Sequence, residues 1–454
     1  MVEASLGRFG DKRLAKVGSA LLASMQSERT LCLPRLAKDR RQFVQFGRFV
    51  ANPAVTVQEM LTSTARLTDQ RAAGRHVLAI MDTTDLRFPT HEASKRGFGR
   101  DANDLCPGLF LHPVLAVDAA TGGVIGLVDC VVLNRTEGAV SDHKTRAADE
   151  KESRRWLHGA EIAGDRLTKA AAITMVSDRE SDIYDLFARR PAHVDLLCRS
   201  AQPRAMTTGG LLPAHCANLP ERDRVTIEVP TRPGRTARAA TVALRFDAIE
   251  LRRPVGAGSD QAKAVALWVV DVREPDPPSG AEPVHWRLLT THKVTMPAEA
   301  RQIVAWYRRR WIIEQVFRSL KSHGLDIEAS QMVEAACFTK LAVIALIAAV
   351  GAMQLVLARD GSTGQPVTDA VEPSDIAALR ALNTSLQGRT AKLRNPFEEV
   401  SLAWYAWIVA RLGGWSGYTS RGYKPPGPKT MHRGMITVAQ VLVGWHLAIR
   451  SADG

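Results

Sequence analysis

The sequence predicts an α/β protein: a mixed β-sheet core with a β-rich insertion, flanked by helical segments at both ends. Three observations predict it. Between about residues 75 and 200, short apolar runs alternate with helical patterns. From about 203 to 290 the chain is strand-like and broken by turn-rich stretches such as PVGAGSDQ and REPDPPSGAEP. The first 70 residues and those after about 335 carry apolar residues at helical spacing. The expected organisation is a helical segment over 1–70, a core over 71–335 with the insertion at about 203–290, and a helical segment over 336–454.

In chain order, Asp11 is placed to cap a helix through LAKVGSALLASM, with Leu14, Val17, Leu21 and Leu22 on one face. A second helix is expected in DRRQFVQFGRFVA, ended by Asn52-Pro53, and a third in VTVQEMLTSTARLTD. HVLAIMD reads as a strand ending in Asp82. GLFLHPVLAVD and GVIGLVDCVVL flank Ala119–Gly123 as a β-hairpin. A helix is expected across EKESRRWLHGAEIAGDRLTKA, then a strand AITMVSD ending in Asp178, a short helix SDIYDLFARR and a strand VDLLCRS. VTIEVPT, TARAATVALRF, IELRRP, KAVALWVVDV and HWRLLTTH supply further strands, and helix from about Pro297 follows.

Composition narrows the function. The 454 residues are 45% hydrophobic, so a substantial core forms, and the net charge of +13 with a pI of about 9.7 suits a polyanionic partner such as nucleic acid. Cys32, Cys106, Cys130, Cys198, Cys216 and Cys337 are scattered without paired spacing, which argues against a zinc site or disulfide framework and fits a reducing cytosol. MVEASLGRFGDKRL lacks an apolar signal core. Leu341–Ala358 is nearly as long as a membrane span, but its alanines and Gln354 fit a buried core helix, and no membrane partner is expected.

Basic residues concentrate near the N-terminus, among them Lys12, Arg13, Arg41 and Arg48. They read either as phosphate contacts or as a solvated surface. The run WYRRRWIIEQVFRSLKSHG is more specific. Tyr307, Arg310, Glu314 and Lys321 fall within about 60° of one another on a single helix, while Ile312, Ile313, Val316, Phe317 and Leu320 take the other side. A carboxylate amid anion-binding groups suits a phosphodiester and a metal; a solvated face with ion pairs has the same spacing. Asp82 and Asp178, each at the end of an apolar strand, stand where α/β sheets place their sites. Either can instead cap the following turn. With Glu314 they form a hard oxygen set suited to Mg²⁺ or Mn²⁺.

The runs MDTTD, SDRESDIY and YRRRWIIEQVFRSLK resemble the catalytic segments of the DDE transposases of bacterial insertion sequences, most closely the IS-four family. The Tyr-x2-Arg-x3-Glu-x6-Lys signature is matched at all four positions, and Asp-Arg-Glu-x-Asp-Ile is matched from Asp178 to Ile183. LGRFGDKRLAKV, GRFVANPAV, EKESRRW and YAWIVARLGGW are weaker likenesses in the same order. Gln315 stands where close relatives often have a second glutamate, and the N-terminus is shorter than in the longer members.

The resemblance implies an RNase H-like catalytic core in which Asp82, Asp178 and Glu314 bind two Mg²⁺ or Mn²⁺ ions. It implies that Tyr307, Arg310 and Lys321 hold DNA phosphates near the cut, and that Trp286 stacks on a flipped base. It further implies cut-and-paste transposition: binding of transposon-end repeats, cleavage through a hairpin intermediate, and attack of the 3′-hydroxyl on target DNA. The partners implied are double-stranded DNA and a second copy in a synaptic homodimer, in the bacterial cytoplasm at the nucleoid. A transposase-derived DNA-binding protein without catalysis is the alternative, and a simple metal-dependent nuclease a third reading.

Overall fold

The computed structural model describes residues 6–28, 30–135, 154–230, 236–258, 260–321, 324–417 and 425–452. The chain opens with α1 (Lys12–Glu28), α2 (Leu33–Leu36), α3 (Arg40–Ala51) and α4 (Val57–Arg71). Side chains set three of their starts. Asp11 Oδ1 accepts from the Arg13 amide at 2.8 Å, Asp39 Oδ1 from Gln42 at 2.7 Å, and Thr56 Oγ1 from Glu59 at 3.2 Å. These are the three expected helices. Leu21 and Leu22 are buried, with Leu14 and Val17 packed against the same core.

One sheet of eleven strands forms the centre. Its strands are β1 (His76–Met81), β2 (Thr84–Arg87), β3 (Gly99–Arg100), β4 (Pro107–Asp118), β5 (Val124–Leu133), β6 (Ala172–Ser177), β7 (Val194–Arg199), β8 (Asp223–Val229), β9 (Arg238–Arg252), β10 (Ala264–Arg273) and β11 (His285–Thr290). β5, β4 and β1 are antiparallel neighbours, β1, β6 and β7 run parallel, and β11, β10, β9 and β8 continue antiparallel from β7. The insertion therefore extends the central sheet edge, with Leu288 opposite Arg199.

β1 shows why a continuous apolar run was needed. Val77, Ala79 and Met81 pack into one apolar cluster with Trp156, Leu157, Ala160 and Ala163 of α5 (Arg154–Arg166). Leu78 and Ile80 face the opposite cluster, which includes α10 (Ala335–Ala358). A strand covered by helices on both faces cannot alternate polar and apolar residues. α10 is long and apolar enough to cross a membrane, yet 83% of its apolar window is buried within the protein, as expected of a core helix. It packs with α1, α3, α4, β5 and α9 (Trp311–Leu320).

The expected hairpin joins β4 and β5. Asp118 Oδ1 accepts from the amides of Ala120 and Thr121 at 2.8 and 3.0 Å, and Gly122 turns the chain at φ +79°. The turn is held by α8 (Pro297–Arg309): Trp306 Nε1 donates to the Ala119 carbonyl at 3.0 Å, and Arg309 donates to the carbonyls of Asp118, Ala119 and Ala120.

Other elements were less legible. The helix expected across 150–170 is described from Arg154 to Arg166; residues 150–153 lie outside the described residues. α6 (Tyr184–Arg189) follows the expected short helix, but α7 (Leu212–Asn218) lies in a region read as strand and turn. β2 and β3 were also not expected. The chain closes with α11 (Ile376–Leu386), α12 (Leu402–Leu412) and α13 (Pro428–Ala452). The last two approach closely at Gly434, where a Cβ would lie 1.7 Å from the Val409 carbonyl oxygen. All six cysteines are free.

Candidate active site

Strand register brings the two aspartates together. β1 and β6 pair in parallel from His76 opposite Ala172 to Ile80 opposite Val176. The same register carried two residues further sets Asp82 beside Asp178. Asp82 does not end its strand edge outright. Met81 lies opposite Val114 and Thr84 opposite Leu111, so β2 resumes in the register of β1. The interruption at Asp82-Thr83 faces Pro113 and His112, and Pro113 has no amide hydrogen to offer.

The helical stripe differs from expectation. It is two helices rather than one, meeting at Arg310. Around that residue the hydrogen bonds tighten to i−3 spacing, Arg310 N to Tyr307 O at 3.1 Å and Ile313 N to Arg310 O at 3.2 Å. Ile312, Ile313, Val316, Phe317 and Leu320 are buried, as the spacing required. Tyr307, expected on the open face, is buried as well. Its ring lies 5.4 Å from that of Trp286, which packs half-buried on β11, and burial pushes its phenol pKa up. Trp286 thus packs against Tyr307 while keeping part of its surface open.

Arg310 is the centre of the cluster. One terminal nitrogen donates to Asp82 Oδ2 at 2.6 Å and the other to Glu314 Oε1 at 2.8 Å. Glu314 therefore pairs with Arg310 across one helical turn while facing Asp82 across the guanidinium. Burial pushes the Asp82 carboxyl up to about 6, with Arg310 opposing the shift and Asp178 and Glu314 adding to it. Asp178 also caps the turn that follows it, accepting from the Glu180 amide at 2.8 Å, so both roles read for it are compatible. Lys321, just past α9, donates to the Asp85 carbonyl and pairs with Glu328 at 3.3 Å, not with Glu314.

Several supporting residues carried no role in the sequence. Thr83 Oγ1 lies 2.9 Å from Nδ1 of His112, a fully buried residue whose pKa burial lowers to about 3, with Arg155 and His158 adding. The ring stands edge-on to Trp156 at 4.6 Å. A neutral His112 can thus accept from Thr83 throughout the neutral range and fix the residue next to Asp82. Thr83→Val leaves that nitrogen without its partner; the expected cost is about 1–3 kcal/mol, read by chemical denaturation. Asp182, quoted above only as a motif match, is buried and accepts from the amides of Ala201 and Gln202 at 2.7 and 2.8 Å and from Arg204 Nε at 2.9 Å. Arg155, from the EKESRRW run, pairs with Glu180 at 3.1 Å. The runs MDTTD, DRE-x-D and EKESRRW contain Thr83, Asp182 and Arg155 but assigned them no contact, and His112 carried no signal.

Lys12, Arg13, Arg41 and Arg48 are exposed on α1 and α3, elements other than those that carry the carboxylates. On α3 the two arginines flank Phe43 and Val44, which are 37% and 36% exposed.

The donor chemistry of Asp82, Asp178 and Glu314 fits a hard divalent cation: three carboxylates, of which Asp82 is half-buried, its pKa raised by that burial first and by the other two acids in addition. Among the described residues, no three acidic, imidazole or thiol groups already converge at ligand spacing, and Arg310 lies between Asp82 and Glu314. Residues 221–351 match the family described as transposase DDE domain; Trp286, Tyr307, Arg310, Glu314 and Lys321 lie within that stretch and Asp82 and Asp178 before it. The chain is similar there to DDE transposases, and the match supports a DDE transposase.

Proposed function

We infer that this protein is a cut-and-paste DNA transposase of the IS-four type, acting on double-stranded DNA in the bacterial cytoplasm. The observation that carries the reading is the meeting of Glu314, from the matched stretch, with Asp82 through Arg310, beside Asp178 in the register of β1 and β6. The central mixed sheet with carboxylates at adjacent parallel strand ends supports an RNase H-like core.

Asp82, Asp178 and Glu314 would hold Mg²⁺ or Mn²⁺, which when bound polarises phosphoryl oxygens and activates water. The chain's own part is positional. β1 and β6 fix the two aspartates, α9 brings Glu314 to them, and His112 with Thr83 steadies the turn at Asp82. Lys321 and Arg310 offer positive charge for phosphates, and Tyr307 supports Trp286 from below. In this reading Trp286 stacks on an extruded base; water nicks one strand, the freed 3′-hydroxyl attacks the opposite strand to give a hairpin, water reopens the hairpin, and the 3′-hydroxyl then attacks target DNA. A synaptic homodimer would hold two ends. The exposed basic residues of α1 and α3 would grip the backbone.

The test is incubation of purified protein with Mg²⁺ and DNA carrying the inverted repeats that flank its own gene. Hairpin ends and joined products support the reading. Binding without cleavage by folded wild-type protein would replace it with a transposase-derived DNA-binding protein. If Arg41 and Arg48 each neutralise one phosphate, alanine at both flattens the log–log salt dependence of duplex binding by about 2 units, measured by anisotropy.

A further inference from the structure

We propose that Arg310 is a shared cation that a divalent metal displaces from the carboxylates, so that metal binding frees its guanidinium for a DNA phosphate. The proposal rests on the reading above that the site takes both metal and DNA.

The guanidinium is split between two acids, one terminal nitrogen to Asp82 and one to Glu314, and its side chain is only 12% exposed. The second oxygen of Asp82 is also engaged, accepting from the Thr83 amide at 2.8 Å. Each oxygen of Asp82 thus accepts one hydrogen bond. A Mg²⁺ or Mn²⁺ ion held by both acids needs their oxygens at about 2.1 Å, and so needs the space between them that the Arg310 guanidinium now fills. Two cations do not share that space without strong repulsion. An arginine stays protonated throughout the usable pH range, so it yields the site by moving, not by losing a proton. Once displaced, this largely buried guanidinium has lost its two acidic partners, and a planar fork in that state suits a phosphate. Metal and DNA then assist each other, and by linkage each tightens the other by the same factor. Lys321 differs: its partners, Glu328 and the Asp85 carbonyl, lie outside the triad, so metal leaves it where it is.

Titration calorimetry of Mn²⁺ into full-length wild type, Arg310→Lys and Arg310→Gln tests this without catalysis. A fluorescein-labelled duplex of arbitrary sequence, at constant ionic strength, reports DNA binding. Without DNA, Arg310→Gln is expected to bind Mn²⁺ about tenfold more tightly than wild type, with Arg310→Lys between them. In wild type Mn²⁺ should tighten duplex binding about tenfold, and that coupling should largely vanish in Arg310→Gln. Circular dichroism confirms that the variants are folded. Unchanged or weaker Mn²⁺ binding by folded Arg310→Gln overturns the proposal, as does coupling that survives the substitution. Wild-type protein that binds both metal and DNA, but independently, removes the toggle and leaves the proposed function standing. Wild-type protein that binds neither overturns both.

Discussion

Asp82→Asn, Asp178→Asn and Glu314→Gln are each expected to abolish the proposed DNA cleavage, by about a thousandfold or more, while the protein stays folded. A ligand carboxylate at a catalytic metal supports several kcal/mol of transition-state stabilisation, and each factor of ten is about 1.4 kcal/mol. The three losses will not add, because the acids act on one site. Stability separates them. Burial raises the Asp82 carboxyl from its ordinary 3.8 to about 6. Between those values the native state holds a proton that the unfolded chain has released, so native stability falls as pH rises from about 4 to about 6 and is level above. At pH 7.5 the ionised Asp82 then costs up to about 3 kcal/mol. In EDTA, Asp82→Asn is therefore expected to melt a few degrees above wild type at pH 7.5 and to match it near pH 4. A variant that loses activity and melts lower at pH 7.5 would show that Asp82 is held by its pairing with Arg310 rather than strained by burial.

Asp182→Ala is expected to give the largest loss of stability, about 3–5 kcal/mol. Its side chain is fully buried and pairs with Arg204 at 2.8 Å. It also receives the Ala201 and Gln202 amides, so removing the carboxylate strands a half-buried guanidinium and two partly buried amide donors. These bonds tie the turn after Asp178 to the segment leaving β7 for the insertion. Urea denaturation of Asp182→Ala should show the loss, and Asp182→Asn should recover only part of it because an amide does not offset the charge of Arg204. A loss under 1 kcal/mol would mean the latch is not formed in solution.

Much of this was written along the chain. The continuous apolar run HVLAIM marks a strand covered on both faces, and Asp11, Asp39 and Thr56 mark helix starts because short polar side chains cap local amides. The turn after β4 was legible from Asp118 to Gly123 for the same local reason. The spacing of Tyr307, Arg310, Glu314 and Lys321 placed Arg310 one turn from Glu314, where the two pair, and Asp82 and Asp178 were legible as strand-end acids.

The tertiary structure decided how those residues meet. Parallel pairing of β1 and β6 joins positions 96 apart, which no local pattern encodes. The tightened turn at Arg310 breaks the uniform helix on which the stripe was drawn, and it leaves Tyr307 beneath Trp286 instead of in the open. Lys321 takes Glu328 rather than Glu314, since its partner is chosen by how the chain folds back after α9. The pKa of Asp82, the pairing of Thr83 with His112 and the latch at Asp182 arise from burial and from contacts between distant strands. Capping and periodicity act over a few residues, and the sequence determines them alone. Register, burial and the sharing of one guanidinium between two acids depend on the whole packed molecule.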